Sequence, residues 1–328
     1  MAAIGEWIAS QKPGTTLTKR RGLHAEVLSA QLGSFGMRDA AREALSRRDF
    51  CRGVAVGFAS FAIAPTLAVD GRTVRTPLML DAKRMAVWDG PGIRTTFFVK
   101  GCPLHCIWCH NPESIQPKEQ VARFRHLCRR CAKCTMEEVT CPTRALKFYG
   151  KAWTMDALVA KALEDKPFYD SSGGGVTLSG GEPLYFWAWA AEFLKRIKSA
   201  GLHTCLDTSL YAPLAAVEAL MPVVDMWLPD YKAHDEALHL KFTGVSNRII
   251  RQNLERLVAA KASLEVRCLV VPGCTDGEDL AARHRYLGSL GLGENQVVDL
   301  EYFDYARSKY QALGLKDTMP PKTGGRFI

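Results

Sequence analysis

The sequence predicts an α/β protein built as a partial (β/α)6 barrel of the TIM type, with a small cysteine-rich insertion near its start. Three observations carry this. Near-continuous apolar, β-branched runs at 95–101, 176–179, 204–208, 223–228, 264–271 and 297–303 read as strands buried on both faces. Helical periodicity at 155–165, 186–200, 214–221, 249–261 and 278–290 lies between them, so the strands run parallel under a cover of helices. Six βα steps rather than eight give an incomplete barrel. Polar and glycine-rich clusters fall just past the strand ends, where a parallel barrel carries its chemistry. The hydrophobic fraction of 47% over 328 residues supplies a sizeable core.

Residues 1–76 form an N-terminal extension ahead of this domain. Within it Ser46-Arg-Arg-Asp-Phe-Cys-Arg52 precedes an apolar Gly/Ala-rich run and Pro65-Thr-Leu-Ala68. This pattern, 46–68, reads as a twin-arginine export signal with cleavage after Ala68. The alternative is a fortuitous Arg-Arg before an amphipathic helix. The run is too short for a membrane span, and Met37 is an alternative start. The extension holds eleven Lys/Arg against six Asp/Glu and the remainder 32 against 28. A net charge of +9 thus arises without a concentrated basic stripe expected in the folded part, which argues against nucleic-acid binding.

The first strand runs into Gly101-Cys-Pro-Leu-His-Cys-Ile-Trp-Cys-His-Asn111. Cys102, Cys106 and Cys109 have C-x3-C-x2-C spacing, which offers three thiolates to a four-iron cluster and leaves its fourth iron open to substrate. Ferredoxin runs and zinc knuckles use C-x2-C pairs and four ligands. The next segment, 117–150, holds Cys128, Cys131, Cys134 and Cys141, followed by Pro142. Four thiolates there close a second four-iron cluster in a ferredoxin-like insertion, with a structural zinc site as the alternative. The gap of six residues before Cys141 is longer than ferredoxin spacing. Cys205 and Cys268 lie in apolar runs and read as small buried hydrophobes; Cys51 and Cys274 are scattered.

Asp89-Gly-Pro-Gly-Ile-Arg-Thr-Thr96, Trp108-Cys-His-Asn-Pro-Glu113, Thr177-Leu-Ser-Gly-Gly-Glu-Pro183, His203-Thr-Cys-Leu-Asp-Thr208, Asp230-Tyr-Lys232, Thr243-Gly-Val-Ser-Asn247, Val271-Pro-Gly273 and Ser308-Lys-Tyr310 follow in order. Together they resemble the radical S-adenosylmethionine (SAM) enzymes, and more narrowly the glycyl-radical-enzyme activating enzymes, over 77–315. The resemblance implies a radical SAM barrel, a [4Fe-4S] cluster on the first three cysteines, SAM chelating its open iron, and a 5′-deoxyadenosyl radical that takes a hydrogen from a backbone glycine of a large partner. It implies Trp108 beside adenine and Ser179, Gly180, Gly181 and Glu182 as the clamp on the SAM ammonium. Lys232 is placed on the SAM carboxylate, with Arg267 facing the same site. Asp207, Thr208 and Asp230 are implied around a monovalent cation, the alternative being a solvated hydrogen-bond group. Asp89 and Arg94 are implied to meet the partner's glycine loop. No residue is assigned as an acid or base; the cofactor does the hard chemistry.

Two departures stand out. After strand six the family's proline, tyrosine and histidine are replaced by Glu301, Tyr302 and Phe303, and the tail 316–328 carries Pro320-Pro321 in place of a last helix. Weaker SAM binding or barrel closure is the expectation. The implied partners are a glycyl radical enzyme and a flavodoxin- or ferredoxin-type electron donor, with no nucleic acid and no stable membrane span. The export signal points to the periplasm, whereas SAM, reductant and family partners point to the cytoplasm. Rival readings are another radical SAM protein maturase and a non-catalytic two-cluster electron-transfer protein.

Overall fold

A computed structural model describes residues 66–69, 72–132 and 134–321. The twin-arginine segment, Met37 and Cys51 lie outside the described residues. The chain divides at Phe61/Ala62, and the unit from Ala62 onward is described here. It opens with an antiparallel hairpin of β1 (Thr66–Val69) and β2 (Arg72–Arg75), so the expected cleavage point after Ala68 falls inside a paired strand.

Next come β3 (Leu78–Ala86) and β4 (Arg94–Lys100), an antiparallel pair. The insertion follows, framed by the antiparallel β5 (Gln120–Arg123) and β6 (Leu146–Tyr149). Two helices, α1 (Met155–Leu163) and α2 (Lys166–Ser172), lead into β7 (Gly175–Gly180). The chain then alternates through α3 (Trp187–Ser199), β8 (His203–Thr208), α4 (Leu214–Leu220), β9 (Met226–Pro229), α5 (Glu236–Thr243), α6 (Arg248–Ala259), β10 (Val266–Val270), α7 (Gly277–Ser289), β11 (Val297–Glu301) and α8 (Arg307–Ala312).

β3, β4, β7, β8 and β9 form one sheet in that order, and β10 pairs in parallel with β11. Parallel bridges at Trp227–Leu264 and Asp230–Arg267 join the two pieces. Six parallel strands therefore follow one another from β4 to β11, as the sequence predicts, with β3 added antiparallel at the leading edge. The core lies between strands and helices. Phe97, Val176, Leu178, Leu206 and Trp227 pack against Leu158, Phe193, Leu194, Val217 and Leu257. Helix α3 shows why its sequence becomes helix here: Trp189, Ala190, Phe193, Leu194 and Ile197 bury one face while Arg196 and Lys198 occupy the last turn. Each large apolar side chain buried this way contributes about 1.5–3 kcal/mol.

Two element boundaries differ from expectation. Residues 223–225 close the turn after α4, with the Val223 and Val224 N–H groups donating to Leu220 O, and the strand starts only at Met226. The last strand ends at Glu301, and its residues are half-buried or exposed because it is the trailing edge of the arc.

Candidate active site

All three cysteines of the first motif line one cavity of about 360 Å³ at the C-terminal ends of the strands. Trp108, Ser179, Gly180, Gly181, Asp207, Asp230, Lys232 and Arg267 line it too, so the cysteine loop meets the ends of four further strands here.

The cysteine loop is held by its backbone. Gly101 N–H donates to Ser114 O, Cys102 N–H to Ile115 O, His105 N–H to Thr243 O and Ile107 N–H to Phe242 O. The loop therefore hangs between its own return and the end of α5. Burial pushes all three thiols up, Cys109 to about 12. A positively charged centre bound to the three sulfurs would oppose this shift and favour their thiolates.

Lys309 makes the loop rigid from behind. Its Nζ donates to His110 O (2.9 Å), Asn111 Oδ1 (3.0 Å) and Glu113 Oε1 (2.6 Å), while Tyr310 OH donates to Cys109 O at 3.2 Å. On the far side Lys100, fully buried, donates to the Glu113 backbone O and to Gln120 Oε1. The sequence displays Ser308-Lys-Tyr310 but gives it no role; only the fold brings α8 under a loop some 200 positions away. Lys309→Met strands the buried Glu113 carboxylate. We expect a loss of about 3–5 kcal/mol of stability and faster loss of iron during gel filtration. A Glu113→Gln change in the same chain recovers part of both, as a coupled pair requires.

Past the strand ends the charges are arranged in pairs. Ser179 Oγ donates to Asp207 Oδ2 at 2.6 Å, and Lys232 Nζ donates to Asp230 Oδ2 at 2.8 Å. Burial first, and the neighbouring Asp230 second, push the Asp207 carboxyl up to about 6. Burial works against the Lys232 ammonium, but Asp230 and Cys106 outweigh it and hold the group charged. Arg267 lies 4.0 Å from Asp207 and also donates to Trp88 O and Glu265 Oε1. Trp108 is buried against Phe242, Tyr302, Tyr310 and Met319 while one edge faces the cavity.

Other residues singled out by the sequence are placed as follows. Glu182 is not among the residues lining the cavity, and its buried carboxylate accepts from Leu184 N–H, Thr208 Oγ1, Ser209 N–H and Ser209 Oγ. It knits β7 to the end of β8. Gly180 and Gly181 are required by packing: a Cβ on Gly180 would overlap the Val99 backbone, and one on Gly181 would overlap Gly101 O. Asp207, Thr208 and Asp230 are each engaged with a protein partner, Ser179, Glu182 and Lys232 respectively. Arg94 is fully buried and donates to Thr177 Oγ1, Pro91 O and Val176 O, so it pins the Asp89–Ile93 loop from below and offers nothing to a partner. Asp89, whose Oδ2 accepts from Thr96 Oγ1, does line the cavity. Where the family's histidine is replaced by Phe303, the His110 ring of the cysteine loop meets the Phe303 carbonyl O. The described part of the tail is held at 318–320: Thr318 Oγ1 donates to Ile107 O, Tyr302 OH donates to Pro320 O, and Met319 packs beside Trp108.

Comparison with known proteins adds the decisive observation. A family profile described as "4Fe-4S single cluster domain" matches residues 88–251. The chain is 34% identical over 273 residues to the (2S)-3-sulfopropanediol dehydratase activating enzyme of Klebsiella oxytoca, covering 73% of this chain and 86% of that protein. It is 32% identical to the benzylsuccinate synthase activating enzyme of Thauera aromatica, covering 74% and 83%. It is 34% identical to the pyruvate formate-lyase 2-activating enzyme of Escherichia coli K12, covering 75% and 84%. The chain belongs to the glycyl-radical-enzyme activating enzymes. As a member of this radical SAM family it cleaves SAM and generates a glycyl radical on a partner enzyme. An iron–sulfur cluster and SAM are its cofactors. No helix among the described residues is long and apolar enough to cross a membrane.

The four cysteines of the insertion also share one cavity, of about 370 Å³, with no lining residue in common with the first. Their setting differs. Cys131 and Cys134 are exposed, and Arg123 Nη2 donates to Cys128 Sγ at 3.4 Å, which pushes that thiol down. Cys205 and Cys268 are buried in the core, as their apolar context predicts.

Proposed function

We propose that this activating enzyme uses two separate iron–sulfur centres, one on Cys102, Cys106 and Cys109 and one on Cys128, Cys131, Cys134 and Cys141. The observation that supports the reading is that each set lines one cavity of its own, the first with three cysteines and the second with four, the ligand counts of a cluster with one open iron and of a cluster closed by thiolates. When bound, the first cluster supplies the electron that splits the SAM sulfur–carbon bond.

The residues of this chain do the positioning. Lys232 and Arg267 are the cations that face the SAM carboxylate, and Ser179 with Asp207 offers acceptors to its ammonium. Trp108 presents an apolar edge for the adenine. The Asp89–Ile93 loop, held rigid by Arg94 and Thr177, forms the rim over which the partner's glycine loop enters. Reorganisation of the Lys232–Asp230 pair frees the ammonium for the SAM carboxylate and leaves Asp230 for a monovalent cation.

Replacing Cys131 by alanine tests it. Iron content after anaerobic reconstitution should fall by roughly half, with SAM-dependent spectral change retained, because the remaining cluster keeps all its ligands. Loss of zinc in place of iron overturns the second centre.

A further inference from the structure

We infer that the insertion is the docking face for an acidic one-electron carrier protein, which lands on a basic collar around the second cysteine set. The inference rests on the two-centre reading above. The observation is charge. Residues 117–150 hold eight Lys/Arg against three Asp/Glu, so the surplus of the folded part is gathered here, contrary to the expectation of no concentrated basic patch. Without this segment the rest of 77–328 has one more acid than base.

The cations stand where a partner can reach them. Arg123, Arg125, Arg129, Arg130, Arg144 and Lys147 are all exposed. Among the described residues none of them is in an ion pair, although most exposed cations on the barrel helices are. They flank the four-cysteine cavity from both sides. A hollow of about 410 Å³ lined by Arg123, Arg125 and Arg130 reaches Cys128, and one of about 740 Å³ lined by Arg144 and Lys147 reaches Cys141. Between the cations lie exposed apolar side chains, Leu127, Met136 and Val139, the last 95% exposed. Glu137 and Glu138 line the same cavities, so the face is mixed but predominantly basic, and exposed apolar side chains among predominantly basic ones are the pattern of an electrostatically steered, transient interface.

The occupant follows from what the face surrounds. Two exposed cysteine ligands bring the second centre to the surface, so a partner here has a short path for an electron. The cavity proposed for SAM shares no lining residue with this one. Carrier and glycyl radical enzyme then need not compete for one surface. Each docking event moves one electron: the carrier is oxidised by one, and the chain gains the electron that SAM cleavage consumes.

The test uses the reconstituted full chain and a purified acidic flavodoxin. Arg125→Glu/Arg144→Glu should weaken flavodoxin binding at least about tenfold and flatten its salt dependence. Iron content and dithionite-driven 5′-deoxyadenosine release should stay unchanged, while flavodoxin-driven release is lost. Arg248→Glu/Arg285→Glu, on the barrel helices, should leave binding intact. Unchanged affinity in the collar variant overturns the inference. So does an RNA oligonucleotide that binds the collar and displaces flavodoxin, or a collar variant whose dithionite-driven glycyl-radical yield falls. Binding reads charge alone, so it stands apart from iron analysis: absent iron in the insertion defeats the two-centre reading without deciding the docking measurement.

Discussion

Cys106→Ala is expected to abolish reductive cleavage of SAM while leaving the fold intact. Cys106 sits in the middle of the first motif, and its loop is fixed by backbone hydrogen bonds to Phe242 and Thr243 that do not involve the thiol. Losing the sulfur therefore costs little packing, about 1 kcal/mol or less for so small a side chain. It leaves only two protein thiolates for a cluster that needs three to be held with one iron open. The expected result is thermal unfolding near that of the parent chain, iron reduced to that of the second set, and no 5′-deoxyadenosine after reduction. Residual release at a substantial fraction of the parent rate would show that Cys106 is not a ligand.

The second large effect is on stability. Glu182→Ala should destabilise the protein by about 3–5 kcal/mol, since it leaves the donors of Leu184, Thr208 and Ser209 buried without an acceptor. Glu182→Gln retains part of this network and should recover part of the loss. Chemical denaturation measures both. If Glu182→Ala unfolds like the parent but binds SAM far more weakly, the carboxylate is a ligand group and the network is incidental.

These two cases show which parts of the site a sequence makes legible. The cysteines were legible because ligand spacing is local: x3 and x2 gaps in one loop state the ligand count without any tertiary information. The barrel was legible because parallel strands buried on both faces leave unbroken apolar runs. The partners of Glu182 were not legible because its burial depends on Thr208 and Ser209, which arrive from the next strand, and a Gly-Gly-Glu turn looks alike whether the acid faces ligand or core. Those of Arg94 were hidden in the same way: it stands beside a Gly-Pro-Gly loop, and only the pairing of β4 with β7 shows its guanidinium on Thr177 and Val176. Lys309 carried no signal, since its three acceptors lie in a loop about 200 positions earlier. Antiparallel β3 was overlooked because its residues alternate between half-buried and exposed, without the continuous apolar run that marks the barrel strands.

The central claim is that the cavity bounded by Cys102, Cys106, Cys109, Lys232 and Arg267 cleaves SAM. Release of 5′-deoxyadenosine by the anaerobically reconstituted, dithionite-reduced parent chain tests it most directly. Release is expected to depend on reductant, to disappear in Cys106→Ala and to persist in Cys131→Ala. A fully loaded chain that binds SAM and releases none, with or without a glycyl radical enzyme, would contradict it.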